Sequence, residues 1–249
     1  FVWDATGEIS VAEISLPVTI SNPDYLEADG SEFGAYVAMP DSGPAPGIVL
    51  LHEIFGVTGW IKDTSDLFAA QGYCVAAPEM FWRLERNFDA DFAVSEQRQK
   101  GFEYRGLIDH DKAVSDIAAT IAHLKSLPEC NGKIGVTGFC TGGTLTYLSA
   151  MRLEIDAAAV YYGTQIHEFL DEGADIRCPM ILHAGTSDEH VSLELLNEIK
   201  TALTPNSNII VYEYAAGHAF AHNERSDHYF ADAAAAAHAR TFGLFNSLK

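Results

Sequence analysis

Basic residues are scarce in this chain: 15 Lys and Arg stand against 35 Asp and Glu over 249 residues, a formal net charge of −20 at pH 7. A surface of that sign excludes nucleic acid and anionic membrane as partners. Long apolar runs are missing too. Nothing approaches the ~20 residues a membrane span needs, and the run at 233–237 is too short. Cysteines number only four, Cys74, Cys130, Cys140 and Cys178, without CxxC spacing, so neither a disulfide framework nor a zinc ribbon is indicated. Phe1-Val2-Trp3-Asp4 lacks the basic and apolar regions of a signal peptide, and the expected setting is the cytoplasm. Against these absences, 48% of the residues are apolar, enough for a full core. With no internal repeat, linker or low-complexity tract, one domain over residues 1–249 is expected.

Apolar segments bounded by turn residues alternate with helical stripes. Residues 9–20 and 33–39 alternate loosely and suggest an antiparallel pair at a sheet edge. Ile48-Val49-Leu50-Leu51 is a continuous apolar run of the kind buried in parallel sheets. Trp60–Gln71 reads as a helix closed by Gly72, then Tyr73–Ala77 as a strand stopped by Pro78. Residues 78–110 show no clean period and read as an excursion over the strand ends. A helix with Val114, Ile117, Ala118, Ile121 and Leu124 on one face follows over Asp111–Leu127. Strands at 133–137, Ala157–Tyr162, Met180–Ala184 and Asn208–Tyr214, a helix striped by Leu195, Leu196, Ile199 and Leu203, and a final helix from about Asp227 complete the pattern. Strands alternating with helices of this length predict an α/β fold: a mostly parallel central sheet with helices on both faces.

At Gly138-Phe139-Cys140-Thr141-Gly142-Gly143 a strand meets a helix through Gly-x-Cys-x-Gly. The glycines permit a tight turn that lifts one side chain above the sheet, the nucleophile elbow, here carrying a thiol. A thiol at a helix N-terminus faces unpaired N–H groups that favour its thiolate. The plainer account of Cys140 is a small buried hydrophobe.

Ligands of open parallel sheets bind beyond the carboxyl ends of the strands. Glu53, Cys140, Asp188 and His218 all follow expected strand ends. The order nucleophile, acid, histidine is that of α/β-hydrolases: Cys140 attacks an acyl carbon, His218 pairs with the thiolate and protonates the leaving group, and Asp188 fixes the imidazole. The N–H groups of Ile54 and Thr141 form the expected oxyanion hole. Glu53, beside it, is a carboxylate able to accept the thiol proton. Taken singly, Asp188 is equally a helix-capping loop acid, His218 a turn histidine and Glu53 a satisfied loop acid. Four of the eight arginines, Arg83, Arg86, Arg98 and Arg105, fall within 23 residues, where an anionic ligand could be held. The bland alternative pairs them with Glu85, Asp89, Asp91, Glu96 and Glu103.

These residues carry a resemblance. Glu53-Ile54-Phe55-Gly56-Val57, Asn131 through Gly143, Tyr161-Tyr162-Gly163 and Ala216-Gly217-His218-Ala219-Phe220-Ala221 resemble the dienelactone hydrolase (carboxymethylenebutenolidase) family, over nearly the whole chain. The resemblance implies the α/β-hydrolase fold and hydrolysis of a carboxylate-bearing lactone in the breakdown of aromatic compounds, with no cofactor or metal. It further implies that Glu53 is a substrate-triggered base, that Arg98 clamps the substrate carboxylate and that Tyr161 lies near the nucleophile. Where the family has a second clamp arginine this chain has His222, which cannot make a bidentate fork. Phe102 and Arg105 stand where the family has tyrosine and tryptophan, and Arg105 is a candidate for the lost charge. His222 and Arg105 therefore join Arg98 and Tyr161 as expected substrate contacts. The expected partner is a small anionic lactone or ester, bound by a monomer or small homo-oligomer. Three alternatives stand beside this: a small-molecule carboxylesterase or thioesterase, a metal-dependent hydrolase built on Asp188-x-His190 and His218-x3-His222, and a non-catalytic thiol-based sensor.

Overall fold

The computed structural model of the chain describes residues 20–21, 32–41 and 43–249. Among the described residues seven strands form the main sheet: β3 (Ala35–Ala38), β4 (Ala45–Leu51), β5 (Cys74–Pro78), β6 (Cys130–Phe139), β7 (Ala157–Tyr161), β8 (Met180–Gly185) and β9 (Ile209–Tyr214). Their spatial order is β3-β5-β4-β6-β7-β8-β9, with β3 antiparallel to β5 and every other pairing parallel. A separate short ladder joins β1 (Ile20–Ser21) to β2 (Glu32–Phe33), antiparallel.

Continuous apolar strands arise because alternate side chains enter different cores. Ile48 and Leu50 of β4 pack with Val75, Ala77, Ala159 and the helices α1 (Gly59–Ala70) and α6 (Ala231–Phe245). Val49 and Leu51, one residue out of phase, pack with Ala76 and with α3 (His110–Ser126) and α4 (Thr141–Arg152) on the opposite face. Leu182 and Ala184 of β8 likewise meet Leu196 and Ile199 of α5 (Leu193–Leu203). Both faces being covered, a strand of period two shows no polar side, which is why the runs at 48–51 and 74–77 are apolar throughout.

The sheet is doubly wound. From β4 the chain steps one way to β5, then returns past β4 to β6 and continues the other way to β9. The direction reverses between β4 and β6, and their carboxyl ends open the crevice where such sheets take ligands. Glu53 lies just past β4, and Cys140 just past β6.

Four expectations need correction. Residues 33–39 do supply an edge strand, but β3 pairs with β5; most of the segment 9–20 lies outside the described residues, and Ile20 pairs with Phe33 away from the main sheet. Within 78–110 a thirteen-residue helix, α2 (Ser95–Leu107), stands where no period was legible; only Gly101 of it is buried, so it carries no apolar stripe. Residues 166–175, in the segment between the expected strands Ala157–Tyr162 and Met180–Ala184 that carries no apolar period and reads as a loop ending at Cys178-Pro179, form a 3-10 stretch. The last helix begins at Ala231 rather than near Asp227, and Phe230 caps it.

Candidate active site

The elbow is as tight as its glycines suggest. Cys140 sits at φ 54°, ψ −114°, a region costing a non-glycine residue about 1–3 kcal/mol and held only where the surroundings dictate it. Its N–H donates to the Tyr161 carbonyl at 3.1 Å, and its carbonyl accepts from Thr144 N–H at 3.1 Å, opening α4. A Cβ on Gly142 would lie 2.3 Å from the Leu51 carbonyl oxygen, so glycine alone lets the helix start press against the end of β4. Tyr162 (φ 38°) and Ala219 (φ 57°), beside the same crevice, share the unusual backbone region.

Two imidazole–carboxylate pairs converge here. His218 donates Nδ1–H to Asp188 Oδ2 at 2.8 Å. The other oxygen of Asp188 accepts from the N–H groups of His190 (2.7 Å) and Val191 (3.1 Å). Burial opposes charge on His218, but the Cys140 sulfur and the Asp188 carboxylate outweigh it and raise the imidazole to about 10. Burial opposes charge on Asp188 too, and the His218 and backbone hydrogen bonds overcome it, holding the carboxyl below its ordinary range. Nε2 of His218 is buried without a hydrogen-bond partner among the described residues.

The second pair is His222 with Glu53: Nδ1–H donates to Oε2 at 2.9 Å. His222 lies flat on Trp60, ring centroids 4.0 Å apart at 22°, with only 2% of its surface exposed. Glu53 is 3% exposed. Burial works against its ionisation, but the His222 hydrogen bond, then the charges of His222, His218 and Arg225, lower its pKa nonetheless. Its Oε1 has no hydrogen-bond partner among the described residues. Behind it His52 donates to the Glu53 carbonyl and accepts at Nε2 from Met80 N–H (3.0 Å), pinning the loop. Burial keeps His52 neutral, its pKa pushed down to about 4.

The structure thus gathers Cys140, Asp188, His218, Glu53 and His222. Thr141 is the first residue of α4, where an N–H has no partner within the helix, and its hydroxyl lies 4.0 Å from the sulfur. Ile54 follows Glu53 and is buried under α2, where a Cβ on Gly101 would come within 2.4 Å of its carbonyl oxygen. Arg98 stands exposed on α2, one turn before Gly101, with no ion pair among the described residues. Arg105 is half-buried with its guanidinium 5.7 Å over Phe102; that ring lies 5.9 Å from His190, which meets His218 edge-on at 4.6 Å. Arg105 therefore reaches the histidine side of the crevice. Arg83 is committed elsewhere, to the buried Asp116 of α3, a partner outside the acids expected for it.

The Tyr161 side chain, expected as a substrate contact, turns away from the crevice. Its hydroxyl is fully buried against α6, 2.7 Å from Thr241 and 3.0 Å from His238, and only its carbonyl serves the elbow. The residue facing the crevice is Tyr162. Its ring meets His218 edge-on at 5.0 Å, and burial together with the charges of Glu53 and Cys140 drives its pKa well up. His222 is likewise turned to Glu53 instead of being left open as a clamp. Arg225, one turn beyond it, was not foreseen: its charge reaches Glu53 and its Nε is buried without a partner. Among the described residues no group of three or more His, Cys, Asp or Glu is placed to hold a metal ion. No described helix is long and apolar enough to cross a membrane.

Comparison with known proteins follows the same line. The model of the dienelactone hydrolase family matches residues 33–249. Carboxymethylenebutenolidase of Pseudomonas putida is 33% identical over 222 residues, covering 89% of this chain and 94% of that protein. Carboxymethylenebutenolidase 1 of Cupriavidus pinatubonensis is 31% identical over 220 residues, 88% of this chain and 94% of its own length. The crystal structure of a Klebsiella pneumoniae protein assigned to the dienelactone hydrolases superposes with a TM-score of 0.79 at 24% identity, over 92% of this chain and 97% of that one, which speaks to the fold.

Proposed function

Because the chain belongs to the dienelactone hydrolase family and is a hydrolase of lactones or esters, we propose that Cys140 is its nucleophile, with His218 and Asp188 as partners, and that its substrate is a lactone bearing a carboxylate. One observation carries the reading. A thiol raised on a strained elbow stands within electrostatic reach of an imidazole whose Nδ1 is tied to Asp188.

In the first step the S–H bond of Cys140 breaks and Glu53 Oε1 takes the proton. The electron pair left on sulfur attacks the lactone carbonyl carbon. The carbonyl π pair moves to oxygen, facing the N–H groups of Ile54 and Thr141. As the carbonyl re-forms, the ring C–O bond breaks, and the departing oxygen takes a proton from His218. Water then attacks the thioester, giving a proton to His218. The C–S bond breaks, the sulfur takes back the proton held by Glu53, the new acid loses its proton to solvent, and a ring-opened dicarboxylate and the free thiol remain. Arg98 and Arg105, on one side of α2, supply positive charge for the substrate carboxylate in a chain that otherwise repels anions. A cytoplasmic setting suits a nucleophile that must stay reduced.

Initial rates on carboxymethylenebutenolide and on 4-nitrophenyl acetate test this. Cys140→Ala is expected to fall to background on both. Arg98→Gln and Arg105→Gln are expected to raise KM for the dienelactone about tenfold, with a smaller effect on the uncharged ester. Turnover surviving in Cys140→Ala overturns cysteine catalysis. Preference for the acetate ester instead makes the protein a small-molecule carboxylesterase.

A further inference from the structure

Arg105, Arg152 and Arg225 are the half-buried arginines of the chain. Arg152 has the counter-charge such a group calls for, bridging Asp111 and Glu172. Arg105 and Arg225 have no ion pair among the described residues. Acids are not lacking, at 35 against 15 basic residues. Drawing a guanidinium partly out of water beside no carboxylate is a cost to the fold, and both groups that bear it stand at the crevice.

They stand at different sides of it. Arg225 has its guanidinium carbon 5.7 Å from the Phe55 ring centre. Phe55 meets Phe92 edge-on at 6.2 Å, and Phe92 meets His222, the partner of Glu53, at 5.5 Å. The charge of Arg225 reaches Glu53 itself, and its Nε is buried without a partner among the described residues. Arg105 holds the corresponding place beyond Phe102 and His190, on the side of His218. Glu53 follows β4 and His218 follows β9, with β6 and its thiol between them in the sheet. An aromatic ring at these distances is a weak counter-charge. A carboxylate is a strong one, and Nε–H with one Nη–H makes a two-pronged fork for it.

The reaction says which half of a substrate faces which arginine. In the tetrahedral intermediate the attacked carbon bears the sulfur, the oxyanion turned to Ile54 and Thr141, and the leaving oxygen turned to His218. Its fourth substituent, the acyl chain, is left with the Glu53 side. Arg105 therefore faces the leaving half and Arg225 the acyl half. In carboxymethylenebutenolide the carboxylate hangs from the carbon that bears the ring oxygen, so only the leaving half is charged. We propose that Arg225 is a second anion site, and that the crevice takes lactones or esters with an anionic group on both halves, Arg105 holding the leaving half and Arg225 the acyl half. The inference rests on the reading of Cys140 as nucleophile and His218 as proton donor, and it adds no bond-breaking step to those already balanced.

Four esters form the test: phenyl hexanoate, phenyl hydrogen adipate, 3-carboxyphenyl hexanoate and 3-carboxyphenyl hydrogen adipate. They carry a carboxylate on neither half, on the acyl half, on the leaving half and on both. Values of kcat/KM are compared for wild type, Arg225→Gln and Arg105→Gln at about 0.15 M salt. Ratios within one protein decide, because any loss from removing a charge beside Glu53 falls on all four esters and divides out. Wild type is expected to favour adipate over hexanoate about tenfold with either leaving group. Arg225→Gln is expected to bring that ratio close to one while the preference for the carboxyphenyl group survives, and Arg105→Gln to do the reverse. An adipate preference absent from wild type, or unchanged in Arg225→Gln, overturns the proposal. So does one that Arg105→Gln abolishes equally, since the two arginines then serve a single site. Calorimetric binding of the amide counterparts of the two carboxyphenyl esters needs neither turnover nor a variant, and equal affinity of wild type for the dianionic and monoanionic amides overturns the proposal by itself. Tighter binding of the dianionic amide that disappears in Arg225→Gln, in a protein that cleaves none of the esters, keeps the anion site and sinks the assigned reaction instead.

Discussion

The two imidazole–carboxylate pairs beside Cys140 are alike in composition and unlike in satisfaction. Asp188 spends one oxygen on His218 and the other on two backbone N–H groups. Glu53 spends one oxygen on His222 and leaves the other buried and unpartnered. An unpaired buried acceptor costs about 1–3 kcal/mol, and folds retain such a cost where the atom has work to do. The difference teaches how to tell an orienting acid from a reacting one. A carboxylate with both oxygens engaged can only aim its histidine, whereas one with an oxygen free can take a proton.

The strongest way to break that comparison is to neutralise each acid in turn. Asp188→Asn presents an amide to His218 and favours the wrong tautomer, so kcat is expected to drop about 10³–10⁴-fold, the size of loss such a replacement causes in a serine triad. Glu53→Gln keeps shape and removes a proton acceptor, a loss of about 10²–10³-fold. Steady-state kinetics on the dienelactone read both. Should Glu53→Gln prove the more damaging, the roles drawn from satisfaction are reversed.

Part of this arrangement is written locally and part is not. Cys140, Asp188 and His218 were legible because each follows an apolar run, and a strand that ends in a parallel sheet delivers its next residue to one edge. The elbow was legible because its glycines sit where any Cβ would strike backbone. Helix α2 was illegible for the opposite reason: it buries only Gly101, against a backbone carbonyl, and leaves no periodic apolar face. The role of His222 depends on Trp60, 162 positions earlier, and on Glu53, 169 positions earlier, and no local spacing encodes either. The tyrosines show how alternation itself fails. Tyr161 and Tyr162 should face opposite ways, yet the positive φ of Tyr162 turns both into one core, with only the second reaching the crevice.

That pair sharpens the comparison at a smaller scale. Tyr162→Phe removes a hydroxyl near Glu53 and Cys140 and is expected to change kcat/KM by about three- to tenfold with little change in Tm. Tyr161→Phe strips a partner from Thr241 and His238, and about 1–3 kcal/mol of stability is expected to go while kinetics hold. Thermal melts beside initial rates separate the two. Equal kinetic losses would return Tyr161 to the site.

The smallest effect is in the pH dependence of stability, and it distinguishes the two pairs without any substrate. His218 binds its proton more tightly in the folded chain, about 10 against an ordinary value near 6.5. Its contribution is therefore complete below pH 6.5 and is lost as pH climbs towards 10. Asp188 and Glu53 have lowered values, so theirs are present above about pH 4 and are lost only on acidification. Between pH 6.5 and 10 the histidine alone among these three sets the slope, at most about 1.4 kcal/mol per pH unit, or about 3–6 °C in Tm for a chain of this size. The groups that raise His218 most are Cys140 and Asp188, while Glu53, whose own pKa the His218 charge lowers, is a lesser partner. Cys140→Ala and Asp188→Asn should accordingly flatten the alkaline fall in Tm, while Glu53→Gln should flatten it less. If Glu53→Gln flattens it as much as Asp188→Asn does, the two pairs are one coupled unit around the sulfur, and the division of labour between them has to be given up.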